Sequence, residues 1–437
     1  MFKTLINAFK VEQLRKRIFY TFWIVVIVRL GCQIPIPGID VAQVKAYLES
    51  VVGSSYSFID SFTGGSFLSM SVFALSVTPY ITASIIMQLL TIAIPALEEM
   101  QRDGEDGRKK MTQITRYVSI GLAIIESSGL AIGFSRQGAL GDVNALTIAN
   151  IIFTLTAGSC IIMWLGERIS DKGIGNGISI ILLINIVSRM PNDFSNLYTM
   201  FVKSKDLVQA IIAVVIIVAV VIGTTILVII LQDAERRIPV QYSKKMQGRK
   251  MAGGQSSYIP LKVNTAGVIP IIFAASLLSV PSIVINLFNL GVGTTGQKIL
   301  QVFNQNYWFN PEYPKASVGL IVYIALNIIF AYFYTSITFN PMEVANNMKK
   351  SGGFIPGIRP GKPTQDYLNK ILNYIVLIGV IGLLIVALIP IFFNGMFNAD
   401  VSFGGTSLII IVGVILETMK QLESQMLVRN YSGFLNN

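Results

Sequence analysis

Apolar residues in this chain come in runs of about 20, the length of helix that crosses a bilayer's hydrocarbon core. Nothing else in the sequence narrows the possible folds so far. Reading for such runs gives ten spans: Ile18–Ile34, Val72–Ile94, Tyr117–Phe134, Ile148–Gly166, Ile174–Met190, Val208–Leu231, Val263–Phe288, Val318–Thr338, Ile371–Phe393 and Thr406–Met419. Glu167, Arg168, Asp171 and Lys172 divide the fourth from the fifth, making a tight helical hairpin. Only 13% of the 437 residues are charged and 53% are hydrophobic. A soluble domain carries about a quarter charged residues, so the expected class is an all-α polytopic membrane protein.

Lys and Arg are retained on the cytoplasmic side of a membrane. With the N-terminus placed there, the cytoplasmic segments hold 26 of the 34 Lys and Arg and the opposite loops hold 7. Arg29, inside the first span, is the remainder. The net charge of +11 is therefore topogenic in the first instance, and both ends are expected in the cytoplasm. The first apolar run follows a long basic leader without a small-x-small cleavage site, so no cleavable signal is expected. Phe2, Leu5, Ile6 and Phe9 share one helical face of that leader. It reads as an interfacial helix or as an unstructured tail.

Absent residues remove whole classes of chemistry. With no histidine, a Ser-His-Asp triad, an H-E-x-x-H zinc site and His-ligated haem or copper are excluded. Cys32 and Cys160 lie in or beside apolar runs without C-x-x-C spacing, and act as small hydrophobes. No metal, cofactor or catalytic site is expected. No Walker A motif is present, so any ATP hydrolysis belongs to a partner.

Four irregularities carry information. Phe58–Ile94 is too long for one crossing and is divided at Gly64-Gly65. The short piece before the break, Tyr56–Thr63, reads as a re-entrant element of a transport path or as an ordinary extramembrane loop. Ten spans split five and five, and an odd number per half inserts the second half upside down. Each half carries a proline expected inside its second helix, Pro79 and Pro270. Ionisable groups in the spans are few, chiefly Arg29, Glu126 and Glu417, which argues against ion-coupled transport. The neutral polar groups Thr82, Gln88, Asn176, Asn264 and Asn327 are expected to bond between helices. Aliphatics at i, i+4, i+8 (Val77, Ile81, Ile85) and at Ile178 and Leu182 carry no meaning in an arbitrary membrane helix, yet a ring of them can close a channel by excluding water.

The run Phe73-Ala-Leu-Ser-Val-Thr-Pro-Tyr-Ile-Thr-Ala-Ser-Ile-Ile-Met-Gln-Leu-Leu90 resembles the second-helix signature of the bacterial SecY family, the central subunit of the Sec protein-conducting channel. Five further segments resemble it in order. They are Trp164-Leu-Gly-Glu167 with Gly173-Ile-Gly-Asn-Gly-Ile-Ser179, Arg236-Arg-Ile-Pro-Val-Gln-Tyr242, Leu261-Lys-Val-Asn-Thr-Ala-Gly-Val-Ile-Pro270, Phe354-Ile-Pro-Gly-Ile-Arg-Pro-Gly361 and Phe403-Gly-Gly-Thr-Ser-Leu408.

The resemblance implies ten transmembrane helices in two inverted five-helix halves, a clamshell around an hourglass pore. It implies a cytoplasmic tail at 1–17, an N-terminal half at 18–190 with a plug at about 56–69, and a sixth span with a basic 6–7 loop at 191–262. Spans seven to ten follow at 263–422, with a basic 8–9 loop at 341–370, and a C-tail at 423–437. By motif, the pore ring falls on Val77, Ile81, Ile85, Ile178, Leu182, Ile272 and Ile410. The plug carries Phe58, Ile59, Phe62, Gly64, Gly65 and Phe67, and Gln88 and Asn264 fall at the lateral gate. Arg236, Arg237, Lys244, Lys245, Arg249, Lys250 and Arg359 are expected to dock the SecA ATPase or the ribosome, whose rRNA phosphates attract Arg and Lys. Lys349, Lys350 and Lys362 add charge to the 8–9 loop. SecE and SecG are the implied subunit partners. Signal-bearing nascent or precursor polypeptides are the implied cargo, and the bacterial plasma membrane the location.

Two rivals fit less well. A small-molecule transporter needs a charged or coordinating midplane site, and an intramembrane enzyme without His needs paired Asp or Ser/Lys chemistry. Neither is visible.

Overall fold

The structure, a computed structural model, describes residues 2–47, 60, 62–136, 144–203, 206–242, 245–247, 250–252, 256–287, 302–303, 308–309, 314–397 and 405–435. Its helices are α1 (Phe2–Lys10), α2 (Glu12–Gly31), α3 (Val41–Tyr47), α4 (Thr78–Ala93), α5 (Pro95–Arg102), α6 (Gly104–Arg136), α7 (Ala145–Lys172), α8 (Gly177–Phe201) and α9 (Leu207–Asp233). After the strands of the 6–7 loop come α10 (Ile269–Leu287), α11 (Ser317–Thr338), α12 (Pro341–Lys350), α13 (Lys362–Phe397) and α14 (Gly405–Leu435). Each expected span corresponds to one of α2, α4, α6 to α11, α13 and α14. Five segments, Gly104–Ser135, Ala145–Lys172, Val208–Asp233, Pro314–Lys350 and Lys362–Phe393, are long and apolar enough to cross a bilayer unaided, and α4 bends by 109° into α5.

The ten helices that correspond to spans form two groups of five. In the first, α6 lies against α4 and α7, and α7 also touches α2 and α8. In the second, α11 lies between α10 and α13, and α9 packs on α13 and α14. The groups meet where α8 touches α14 and α9, and where α6 touches α10. Many apolar side chains on the outer faces remain exposed, Trp23 at 62% and Ile216 at 50% among them. That suits a lipid solvent, where apolar surface carries no penalty.

Several boundaries differ from those read off hydropathy, each for an identifiable reason. The second helix starts only at Thr78, because Pro79 lacks an N–H and sits in the first turn, where none is needed. Pro270 likewise lies in the first turn of α10, so neither proline is internal. The internal prolines are Pro191, Pro281 and Pro390. Because α8 continues through Pro191 to Phe201, the first half ends later than residue 190. Helices α6 and α14 run on through charged residues that are good helix formers, beyond the apolar part of the span.

The neutral polar residues mostly bond within their own helix. Asn176 caps α8, accepting from the N–H groups of Ile178 and Ser179 at 3.1 and 3.4 Å. Thr82 donates to Thr78 O, and Asn327 to Tyr323 O. The expected bonds between helices are absent from these three among the described residues.

Outside the helices the described part of the basic 6–7 loop is β-structure, β2 and β3 forming a sheet of their own. β1 (Glu235–Tyr242), β2 (Lys245–Gln247), β3 (Lys250–Ala252) and β4 (Ser256–Lys262) follow in sequence, with β5 (Gly353–Phe354) in the 8–9 loop. β1 pairs antiparallel with β4, with Arg236 opposite Leu261 and Ile238 opposite Ile259, and β5 pairs with the other edge of β1, with Gln241 opposite Phe354. The alternation in Arg-Arg-Ile-Pro-Val-Gln-Tyr buries Ile238 and Val240 and leaves Arg237 and Pro239 outside. Those two aliphatics join Leu261, Met348, Ile355 and Leu368 in one apolar cluster, which fixes both loops on the end of α13.

Candidate functional site: an aliphatic collar and the segment seated in it

The described part of the chain between α3 and α4 begins at Asp60. Asp60 and residues 62–63 are helical, and a chain of turns then leads to Thr78. Gly64 has φ +68, and a Cβ there would lie 2.9 Å from Asn185 Cα. Glycine is therefore needed both for the left-handed turn and for the close approach. Two side chains hold the turn by its backbone. Arg29, in the last turn of α2, donates to Gly64 O at 3.3 Å and to Asn185 Oδ1 at 3.4 Å. Asn185 of α8 donates to Phe62 O at 3.2 Å and to Ser76 Oγ at 3.0 Å.

Asp60 is fully buried. Its Oδ1 accepts the Leu68 N–H at 3.0 Å, and its other oxygen is paired with Arg189 of α8. The Arg189 Nε lies 3.9 Å from Asp193 Oδ1, one turn further along the same helix. Sequence reading missed Asp60, Asn185, Arg189 and Asp193. Arg189 falls at the end of a span, where a charge count treats it as an outer-loop cation. The i, i+4 spacing of Arg189 and Asp193 was the available signal for those two, and nothing local ties Asp60 to them.

The aliphatic residues of the ring motifs gather in two neighbouring clusters. Val77 and Leu182 are buried with Ile24, Val28, Phe73 and Ile181, and Ile81 and Ile178 pack against them. Ile410 is buried with Ile186, Ile411 and Val414 of α8 and α14, and Ile272 of α10 packs there. Phe62 and Ile180 belong to both clusters. Ile85 is half-buried and is in neither. Phe67 turns the other way, 2% exposed in a core with Met70, Leu75, Ala123 and Leu155. Phe58 and Ile59 lie outside the described residues. Gln88 is half-buried and Asn264 is 6% exposed, and no hydrogen bond joins them among the described residues.

Arg236 and Arg237 are exposed on β1. Arg237 donates to Glu235 at 2.6 Å and lies 4.9 Å over the Tyr258 ring, and the hydrogen bond to Glu235 raises its already high pKa. Lys245 and Lys250 lie in β2 and β3, while Lys244 and Arg249 fall outside the described residues. Arg359 is exposed on a turn whose flanking residues Gly357 and Gly361 have φ +82 and +102, and its carbonyl accepts from Thr364 at 2.9 Å.

Comparison with known proteins agrees over the whole length. A family model described as SecY matches residues 71–419. A relative in Streptomyces coelicolor, protein translocase subunit SecY, is 44% identical over 446 residues, covering 98% of this chain and 98% of that protein. Among solved structures, one titled as the structure of a protein conducting channel superposes with a TM-score of 0.63 at 20% identity, covering 94% of this chain and 92% of that one. A channel from the canine ribosome–channel complex of the endoplasmic reticulum gives 0.59 at 19% identity, covering 94% and 92%.

Proposed function

The chain belongs to the SecY family, and from that premise we propose how a multi-pass membrane channel of this kind conducts polypeptides through these residues. Its function is that of a protein-conducting channel. The collar of Val77, Ile81, Ile178, Leu182, Ile272 and Ile410 is the constriction through which the cargo passes. The observation that carries this is the sharing of Phe62 and Ile180 by both aliphatic clusters. One phenylalanine of the crossing-incompetent segment sits where four structural elements bring their branched side chains together. Such a collar makes no demand for particular hydrogen bonds, so it accepts any extended sequence. Empty, an apolar constriction sheds water and resists ions.

The segment at about 56–69 is then the plug, with Phe62 on the collar and Phe67 as its root in the first half. Apolar segments leave sideways between α4 and α6 on one side and α10 and α11 on the other. The driving force is the transfer of apolar area into lipid, about 25 cal/mol per Å². Gln88 and Asn264 lie on this exit. The β-sheet and the Arg359 turn form the face that docks the SecA ATPase or a ribosome, a reading supported by their exposed Arg residues. SecE and SecG complete the complex, in a bacterial plasma membrane with both termini cytoplasmic.

The test is crosslinking. Photoreactive residues placed at Ile81 and Ile272 are expected to capture a signal-bearing precursor arrested in transit, in vesicles that contain the complete complex. Capture at exposed outer-face positions such as Ile216 but never at these two would remove the collar from the path.

A further inference from the structure

The polar groups beneath the plug are of two kinds, and they do different work. Arg29 and Asn185 grip backbone carbonyls, at Gly64 and Phe62. That grip is independent of the plug's side chains and fixes its root. The Asp60–Arg189 pair is a side-chain tie to the part of the segment before the turn. It is buried, with the Asp60 side chain at 0% exposure and the Arg189 side chain at 16%. Separating a buried pair so that one charge stays behind alone is costly. A plug that leaves would take Asp60 with it and remove that partner from Arg189. Asp193 answers that cost. Its side chain is 4% exposed, it lies on the same helix as Arg189, and it stays when the plug goes. Arg29, from α2, is also at this place, and it is engaged with Gly64 and Asn185.

We propose that Arg189 is the catch of a two-position ionic latch, held by Asp60 while the plug is seated and passed to Asp193 when the plug is displaced. The latch rests on the reading of this segment as a seal. Asp60 sets how firmly the closed state holds. Asp193 sets how easily it is left, by giving the cation a partner in the open state.

The experiment uses the full complex in vesicles and reads resting ion leak alongside translocation of a signal-bearing precursor. A deletion of residues 56–63 provides the reference for an absent seal. Asp60→Asn is expected to raise the leak by about tenfold or more, toward that reference. Arg189→Gln should do the same. Because the two changes break one interaction, the double variant should leak no more than either single variant. Arg189→Lys, which keeps the charge, should stay near the parent. Asp193→Asn should raise the resting leak far less than Asp60→Asn does and slow translocation several-fold. If the deletion leaks and Asp60→Asn does not, or if the single effects add, the latch is refuted while the plug stands. If the deletion itself does not leak, the seal reading fails, and the latch falls with it.

Discussion

Gly64 and Gly65 look alike in sequence but are constrained differently. Both have positive φ, +68 and +86, yet a Cβ on Gly65 would meet nothing within 4 Å while one on Gly64 would strike Arg29 and Asn185. Gly65→Ala carries only the left-handed penalty, about 1–2 kcal/mol. Gly64→Ala carries that penalty and also displaces Arg29 and Asn185, which grip the backbone of this turn. Resting ion leak should therefore rise clearly for Gly64→Ala and much less for Gly65→Ala. Equal leaks would show that the Arg29 and Asn185 grip is irrelevant to closure. A second prediction concerns the cap of α8. Asn176→Ala removes both capping bonds and should lower stability by about 1 kcal/mol, with Asn176→Asp nearly neutral, as read by thermal unfolding in detergent.

At the scale of elements, the Arg359 turn is the sharpest target. Left-handed glycines on both sides and the Thr364 bond fix where the guanidinium is presented, so its charge is displayed rather than averaged over a mobile loop. Arg359→Glu should slow partner-driven translocation by about tenfold or more while the protein still inserts. Normal translocation by that variant would remove the turn from the docking face. What could be read in the sequence follows from length and period. Apolar runs located all ten helices, because burial in lipid writes a long continuous signal. The helix ends were less legible. Charged helix formers before Tyr117 and after Met419 continue the helix outside the apolar zone, and Pro79 begins a helix rather than bending one. The aliphatic ring could be placed only through the family resemblance, since Val77, Ile81 and Ile85 are ordinary core residues by spacing alone. The ionic cluster depends on residues more than a hundred positions apart, and no local pattern joins Asp60 to Arg189.

Across the whole molecule, the two halves touch at α6 and α10 on one side and at α8, α9 and α14 elsewhere. Asn264, just ahead of α10, is buried with its Nδ2 unbonded among the described residues. An unsatisfied amide costs about 1–3 kcal/mol, so its surroundings are held short of their most stable arrangement. Asn264→Leu should stabilise the closed form and raise the apolarity that a test segment needs to exit into lipid. This can be measured by inserting segments with a graded number of leucines, and an unchanged threshold would count against a gate role for this residue. The pairing of β5 with β1 has a mechanical consequence. β1 leaves α9, β4 leads into α10, and β5 leads into α13, so the whole platform is rooted in one half of the protein. A machine that gripped it would hold a handle fixed to one group of five helices, so that any push or tilt would be delivered to that group alone.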